Sequence, residues 1–127
     1  MYTIGVDMTT VSRIKKSMEN PRFAPFVFGE KERELFCAQN PKYHSLAANF
    51  AAKEAFAKAL GSGVRGFGLN EVEVLRDDMG APYFVFSGKA LEIVLSGGYT
   101  AQVSLSHEGD TAIAMVLLEK GMGIKKL

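Results

Sequence analysis

The first residues of the chain alternate between apolar side chains and small or polar ones. Within residues 2–7 the apolar side chains occupy one face of an extended segment, and Gly5 and Asp7 occupy the other. This period of two predicts a β-strand in which Gly5 leaves open space beside Asp7. A threonine at position 9 or 10 can cap a following helix that runs to about Met18.

The remaining chain divides into short elements separated by glycine, proline and asparagine. We predict an apolar connector over residues 23–28, helices over 30–37, 42–60 and 88–95, and strands over 71–76, 82–86, 99–107 and 111–119. The last four strands fall into two hairpins. This order of elements predicts an α+β fold with a mainly antiparallel sheet packed against helices.

The composition is that of one globular domain spanning residues 1–127, with a loose basic tail over about 120–127. The net charge of +1 gives no general attraction to nucleic acid, so we expect no nucleic-acid partner. The longest apolar run, residues 112–118, is too short to cross a bilayer, so we expect no membrane association. Cys37 is the single cysteine and no signal peptide is recognisable, so we expect a cytoplasmic protein.

Glu54 stands out because it lies in a helix dominated by alanine, phenylalanine and leucine. A carboxylate on a largely buried helix needs a compensating charge, or it stays protonated. Lys58 follows four residues later on the same face, so one interpretation is an ordinary ion pair on a solvated stripe. Small neighbours such as Ala51 and Ala55 let another element approach closely, which favours a functional interpretation.

Asp7 is the second candidate, since it ends the first strand. It can simply help to start the following helix. Alternatively, Asp7 and Glu54 can hold one Mg²⁺ ion, because magnesium prefers few carboxylates together with water and phosphate oxygens. Lys58 and the turn Gly61-Ser62-Gly63 then suit phosphate chemistry, although such a turn alone is only a helix stop.

The two histidines carry less information. A lone histidine such as His107 is more often a hydrogen-bonded structural residue than a functional one, and His44 has no partner in the sequence. No cluster of cysteine and histidine predicts a zinc site, and no nucleophile-elbow motif predicts a hydrolase.

The first helix and its exit are basic, with Arg13 and Arg22 among the cations and no acidic residue before Glu19. Such a face can be merely solvated, or it can dock an acidic protein.

Three blocks of the chain form a specific set. They are residues 4–8 with 11–14, residues 50–63, and residues 103–107 with 111–114. Together with the glycine-x-proline turn at Gly80-Ala81-Pro82, they resemble the holo-acyl-carrier-protein synthases, the small 4′-phosphopantetheinyl transferases. The resemblance covers nearly the whole chain, to about Glu119.

This resemblance implies the 4′-phosphopantetheinyl transferase fold and transfer of 4′-phosphopantetheine from coenzyme A to a serine of apo acyl carrier protein. Adenosine 3′,5′-bisphosphate would leave. It implies Mg²⁺ held by Asp7 and Glu54, with Lys58 near the pyrophosphate, and these three as the catalytic residues. It also implies a role in fatty acid biosynthesis and a homotrimer with each site at a subunit interface.

The resemblance implies further contacts residue by residue. Those to coenzyme A would come from Lys53, Lys58, Gly61, Gly63, Pro82 and His107. Contacts to the acidic carrier would come from Arg13, Arg22 and Phe23. Four positions depart from the family pattern. Asn49 stands where many members have arginine, Phe50 where others have tryptophan, Ala81 where a lysine is usual, and Glu108 where a small polar residue is common. These departures bear on nucleotide affinity rather than on the type of reaction.

Two other functions stay open from the residues themselves. One is a non-catalytic oligomeric module that binds a nucleotide or an acidic protein, with Glu54 and Lys58 as a structural pair. The other is a metal-dependent phosphate hydrolase, for which no water-activating residue is evident beyond the two carboxylates.

Overall fold

A computed structural model describes residues 1–61 and 66–121 of the chain. Its elements are β1 (Tyr2–Thr10), α1 (Val11–Ser17), α2 (Phe23–Val27), α3 (Glu30–Phe36), α4 (Tyr43–Leu60), a 3₁₀ turn (Leu69–Glu71), β2 (Val72–Arg76), β3 (Pro82–Phe86), α5 (Gly88–Gly97), β4 (Tyr99–Glu108) and β5 (Thr111–Lys120). The predicted α+β class is confirmed. The predicted loose tail lies outside the described residues from position 122 onward. No helix in the described part of the chain combines the length and apolar character that a bilayer crossing requires.

The strands form two antiparallel sheets rather than one. A three-stranded sheet has the order β1-β5-β4, and β2 pairs with β3 in a separate hairpin. The β4–β5 turn also secures the start of α1, because the Asp110 carboxylate accepts hydrogen bonds from the Ser12 amide at 2.9 Å and the Ser12 hydroxyl at 2.6 Å. The predicted local cap is present as well, since Thr10 Oγ1 accepts from the Arg13 amide at 3.3 Å.

The segment predicted as an apolar connector contains a short helix, α2. Pro25 does not prevent it, because Pro25 lies in the first turn, where backbone N–H groups have no partner inside the helix. Val27 and Phe28 are buried at its end, so tertiary packing explains a helix that the local sequence does not predict.

Helix α4 crosses the three-stranded sheet and lies close to β1 at Gly5. A Cβ atom at position 5 would overlap the carbonyl oxygen of Ala55 and lie 2.9 Å from the amide nitrogen of Ala59. The expected open space beside Asp7 is therefore absent, because the helix backbone fills it. Ala55 is fully buried and Ala59 nearly so, which confirms that small side chains on α4 allow another element to approach.

The other face of β1 points away from the core. Ile4, Val6 and Met8 are 63%, 45% and 63% exposed. Each pairs directly with an apolar residue of β5, and these partners are Leu117, Met115 and Ile113. We call these six residues the outer apolar face.

A buried polar cluster joins α3, α4 and β2. The Lys53 ammonium lies 2.6 Å from the Glu32 carboxylate, and both side chains are fully buried. Glu32 also accepts from the side-chain amide of Asn49 at 2.8 Å and from the Val74 amide at 3.1 Å. Lys53 uses its other protons on the carbonyl oxygens of Val72 and Leu69, so both charged groups are well satisfied.

The close approach at Gly5 generates a stability prediction. We expect Gly5→Ala to lower the free energy of unfolding by about 2–3 kcal/mol or more, because the added methyl group has no space against the α4 backbone. Urea denaturation measures this change. The control is Gly68→Ala, where the added Cβ would meet only the end of the exposed Asn70 side chain at 2.9 Å, and we expect a change below about 1 kcal/mol. Equal effects of the two substitutions would contradict the steric explanation.

Candidate active site

The packing of β1 on α4 brings the two predicted carboxylates into one neighbourhood. Asp7 lies on the inner face of β1, two residues beyond Gly5, and its side chain is 20% exposed. Glu54 lies on α4 beside Ala55 and is half-buried. Burial raises the pKa of Glu54, and the negative charge of Asp7 raises it further, against the opposing charges of Arg13 and Lys58. The two carboxylates therefore interact electrostatically although they are far apart in the sequence.

Lys58 contacts Asp7 rather than its helical neighbour Glu54. Its ammonium lies 3.0 Å from Asp7 Oδ1 and 3.0 Å from the carbonyl oxygen of Val6. The Lys58 side chain is 58% exposed, so this ion pair contributes only about 0–1 kcal/mol. Among the described residues no ion pair joins Lys58 to Glu54, so the interpretation as an i,i+4 pair is not borne out.

The donor set fits a hard divalent cation. Asp7 and Glu54 offer carboxylate oxygens, and Glu54 has no basic group within 4 Å among the described residues. The electrostatic cost of placing two anions together is relieved when a cation lies between them. No group of three or more metal-binding side chains converges within residues 1–61 and 66–121. A cation held by two carboxylates would keep coordination positions for water and phosphate oxygens, as Mg²⁺ prefers.

Lys53 does not have the predicted role. The resemblance placed it among the contacts to coenzyme A, but its side chain is fully buried and its ammonium is bonded to Glu32 and two backbone carbonyl groups. It belongs to the interior cluster, and it neighbours the site only through Glu54. Lys53 directly precedes Glu54, and the sequence alone does not show that the two side chains point in different directions from α4.

The glycine-rich turn is described only in part. Gly61 ends α4 in a left-handed conformation with φ of 82°, which confirms its prediction as the residue that terminates the helix. Gly63 lies outside the described residues, so its predicted contact to the nucleotide stays a prediction.

His107 and Pro82 line a polar pocket of about 210 Å³ at the far side of α4. We call it the histidine–arginine pocket, and its lining residues are His44, Ser45, Ala48, Arg76, Gly80, Pro82, Leu105 and His107. The rings of His44 and His107 are 5.2 Å apart between centroids, so His44 does have a partner. That partner comes from β4, 63 positions along the chain from α4, and no local pattern predicts the pairing.

Arg76 is the functional candidate that sequence reasoning missed. It ends β2 and lines the pocket, and its guanidinium carbon lies 5.2 Å from the ring centre of Phe36. Asn49 accepts a hydrogen bond of 2.8 Å from Arg76 Nη2. The sequence offered one indirect signal, since Asn49 lacks the positive charge that the family pattern has at this position.

The predicted carrier-binding residues form a connected surface. The Arg13 guanidinium lies 5.7 Å from the ring centre of Phe50, and Phe23 packs at 6.3 Å from the same ring. Arg22 and Phe23 line an open groove with Lys16 and with Phe26, whose side chain is 75% exposed. A groove with cations and an exposed aromatic ring suits an acidic partner that also presents apolar side chains.

Cys37 offers no activated nucleophile. Burial raises the pKa of its thiol, which disfavours the reactive thiolate.

Comparison with known proteins places the chain among named enzymes. A family model described as the 4′-phosphopantetheinyl transferase superfamily matches residues 3–116. A holo-[acyl-carrier-protein] synthase of Clostridium botulinum (strain Alaska E43 / Type E3) is 44% identical over 117 residues, which cover 91% of this chain and 95% of that protein.

Solved structures give the same result. The crystal structure of holo-[acyl-carrier-protein] synthase from Neisseria meningitidis superposes with a TM-score of 0.85 and 32% identity, covering 93% of this chain and 98% of that one. A Chronobacterium ammoniagenes ACPS–CoA complex has a TM-score of 0.80 and 29% identity, with coverages of 95% and 98%.

The interaction between the carboxylates generates a titration prediction. We expect Asp7→Asn to lower the pKa of Glu54 towards its ordinary value, because it removes the negative charge while leaving the burial of Glu54 in place. Carboxyl-carbon NMR titration measures this change. The control Asp78→Asn removes a charge from the exposed β2–β3 turn, and we expect no shift of Glu54 there. An unchanged Glu54 pKa in Asp7→Asn would show that the two groups do not interact.

Proposed function

This chain belongs to the 4′-phosphopantetheinyl transferase superfamily, and from that membership we propose that Asp7 and Glu54 form a Mg²⁺ site at its catalytic centre. The protein is a holo-[acyl-carrier-protein] synthase, which transfers 4′-phosphopantetheine from coenzyme A to a serine of apo acyl carrier protein. The observation that carries the proposal is the packing of β1 on α4, which puts Asp7 in contact with Lys58, one helical turn from Glu54.

The reaction develops negative charge on phosphate oxygens, which a cation at this site would offset. The serine oxygen of the carrier forms a bond to the β-phosphorus of coenzyme A, and the bond from that phosphorus to the bridging oxygen breaks. The serine proton is lost and adenosine 3′,5′-bisphosphate leaves with added negative charge. When bound, Mg²⁺ offsets charge on the phosphate oxygens, and Asp7 and Glu54 would hold it.

Lys58 would act on the same phosphate groups. Its ammonium is exposed and touches Asp7 through a weak ion pair, so it can turn towards an incoming anion at little cost. We propose that it offsets charge on the leaving phosphate. The described residues do not assign a general base, and Glu54 is not proposed for that role because it would be a metal ligand.

The carrier would dock on the surface formed by α1 and α2. Arg13 and Arg22 supply positive charge for an acidic carrier, and Phe23 supplies an apolar contact beside them. Because such attraction is screened by salt, the association rate should fall as ionic strength rises.

Self-association is the second part of the proposal, in the form of a homotrimer. The outer apolar face leaves Ile4, Val6 and Met8 exposed in a contiguous strip, which is unusual for a protein that stays monomeric. Burying this strip against other copies would remove it from water.

The placement of the site residues supports the same assembly. β1 carries Asp7 at one edge of the sheet, and β4 carries His107 at the other edge. On α4, Glu54 follows Ala48 of the histidine–arginine pocket by six positions, so the two side chains point about 120° apart around the helix. In one protomer α4 therefore separates the pocket from the carboxylates. In an assembly, the pocket of one copy can face the carboxylates of another.

We propose a cytoplasmic location and a role in fatty acid biosynthesis on the family resemblance alone.

The transferase proposal predicts a mass gain. Incubation with coenzyme A, Mg²⁺ and an apo acyl carrier protein should add one phosphopantetheine to the carrier, and chelation of divalent cations should abolish the gain until Mg²⁺ is restored. We expect Asp7→Asn and Glu54→Gln each to lower kcat/KM by about 100-fold or more, because each removes a ligand whose effect is electrostatic. The control Asp78→Asn should retain full activity.

Other results would identify the alternatives. If the carrier gains no mass and coenzyme A raises the melting temperature equally with and without Mg²⁺, the protein is a binding module. Release of nucleotide from coenzyme A without any carrier would instead identify a hydrolase. Full activity of Asp7→Asn would remove Asp7 from the metal site.

The assembly proposal predicts that one charged substitution dissociates the protein. We expect the wild-type chain to sediment as a trimer and Ile4→Glu to sediment as a monomer, because a carboxylate on the outer apolar face resists burial. The control Val85→Glu changes an apolar β3 residue that is 38% exposed but lies outside that face, and it should remain trimeric. A wild-type chain that sediments as a monomer at micromolar concentration would contradict the proposal.

A further inference from the structure

Arg76 is a half-buried cation whose guanidinium is held by hydrogen bonds and by contact with an aromatic ring. Its Nη2 donates to Asn49 Oδ1 at 2.8 Å, its Nη1 makes longer hydrogen bonds to the carbonyl oxygens of Val74 and Leu75 at 3.4 and 3.3 Å, and its guanidinium lies over the Phe36 ring. The Asn49 side chain is itself fixed, because its amide nitrogen donates to the Glu32 carboxylate and to the Val74 carbonyl oxygen. Among the described residues no carboxylate oxygen lies within 4 Å of the Arg76 nitrogens, so the cation keeps its capacity to bind an anion.

The surroundings of Arg76 suit a phosphate group. Arg76 lines the histidine–arginine pocket together with Ser45 and with the paired rings of His44 and His107, of which His44 Nε2 also contacts the Gly109 carbonyl oxygen at 3.3 Å. No acidic side chain is present among its described lining residues. Arginine matches the oxygen geometry of a phosphate monoester through paired N–H donors, and imidazole and hydroxyl groups can donate to the remaining oxygens.

We propose that Arg76 determines the specificity of this protein for the 3′-phosphate of coenzyme A, which the histidine–arginine pocket receives. This inference rests on the proposed function, which assigns the diphosphate of coenzyme A to the site of Asp7, Glu54 and Lys58. Coenzyme A carries only one other phosphate, the 3′-monoester on its ribose. A second cationic pocket therefore has one phosphate left to recognise.

The same geometry explains how this chain accommodates Asn49. The family pattern has arginine at this position, and a side chain there faces the interior cluster in this structure, where Glu32 and Val74 occupy both amide protons of Asn49. The remaining oxygen of Asn49 holds Arg76. The cation is thus supplied from β2, and Asn49 is a positioning residue for it.

The experiment compares coenzyme A with dephospho-coenzyme A, which lacks the 3′-phosphate. In the full-length protein we expect Arg76→Gln to raise KM for coenzyme A at least 10-fold while kcat changes less than 3-fold. KM for dephospho-coenzyme A should change less than 2-fold, so the preference of the wild-type protein for coenzyme A should largely disappear. Arg76→Lys should retain part of that preference, because lysine keeps the charge but not the planar donor geometry.

Controls separate this effect from general damage. Lys89→Gln removes an exposed cation on α5 and should leave both KM values unchanged. Calorimetric binding of the two nucleotides, with inorganic phosphate as competitor, repeats the comparison without catalysis. Equal weakening of both nucleotides by Arg76→Gln, or no weakening of either, would overturn the role of Arg76. A wild-type protein that discriminates between the nucleotides but transfers nothing would instead overturn the proposed function.

Discussion

The contact of α4 with β1 at Gly5 is the constraint on which the rest of the structure depends. Only a residue without a side chain allows the Ala55 carbonyl oxygen to lie against the strand. This contact fixes how far Glu54 lies from Asp7, because both residues are within two positions of it in their own elements. The same contact determines which face of β1 is inner, and so leaves Ile4 and its neighbours on the outside. The proposed metal site and the proposed assembly surface therefore share one steric origin.

The buried cluster of Glu32, Lys53 and Asn49 is a second constraint, and it acts from the other side of α4. Burial moves the pKa of Glu32 up and that of Lys53 down, and the charge of each partner opposes the shift in the other. Removing one partner of such a pair typically costs about 3–5 kcal/mol. The cluster joins α3, α4 and β2, and through Asn49 it reaches Arg76 at the edge of the pocket. An interior network thus holds the half-buried cation of Arg76 in position.

The sequence predicts what depends on local chemistry and on family-specific blocks. Thr10 as a helix cap, Gly61 as a helix end and the hairpins all follow from short-range signals, and the class of enzyme follows from the motif around Glu54. Helix α2 was missed because tertiary packing forms it. The role of Lys53 was missed because it depends on which way its side chain points around α4. Arg76 was missed because its place in the pocket depends on how β2 packs beside α4. Periodicity in a helix that is buried on most sides does not contain that information.

Gly5 also has a consequence for the folding of the sheet. A strand that slips by one residue against β5 would turn its apolar side chains inward and expose Asp7. In this chain such a slip would place the bulk of Ile4 or Val6 against the helix backbone, where no atom fits, so the misaligned sheet cannot accept α4. Because α4 can pack only where a glycine faces it, docking of the helix selects the native register of β1. The absence of a side chain at this one position therefore fixes the alignment of the strand.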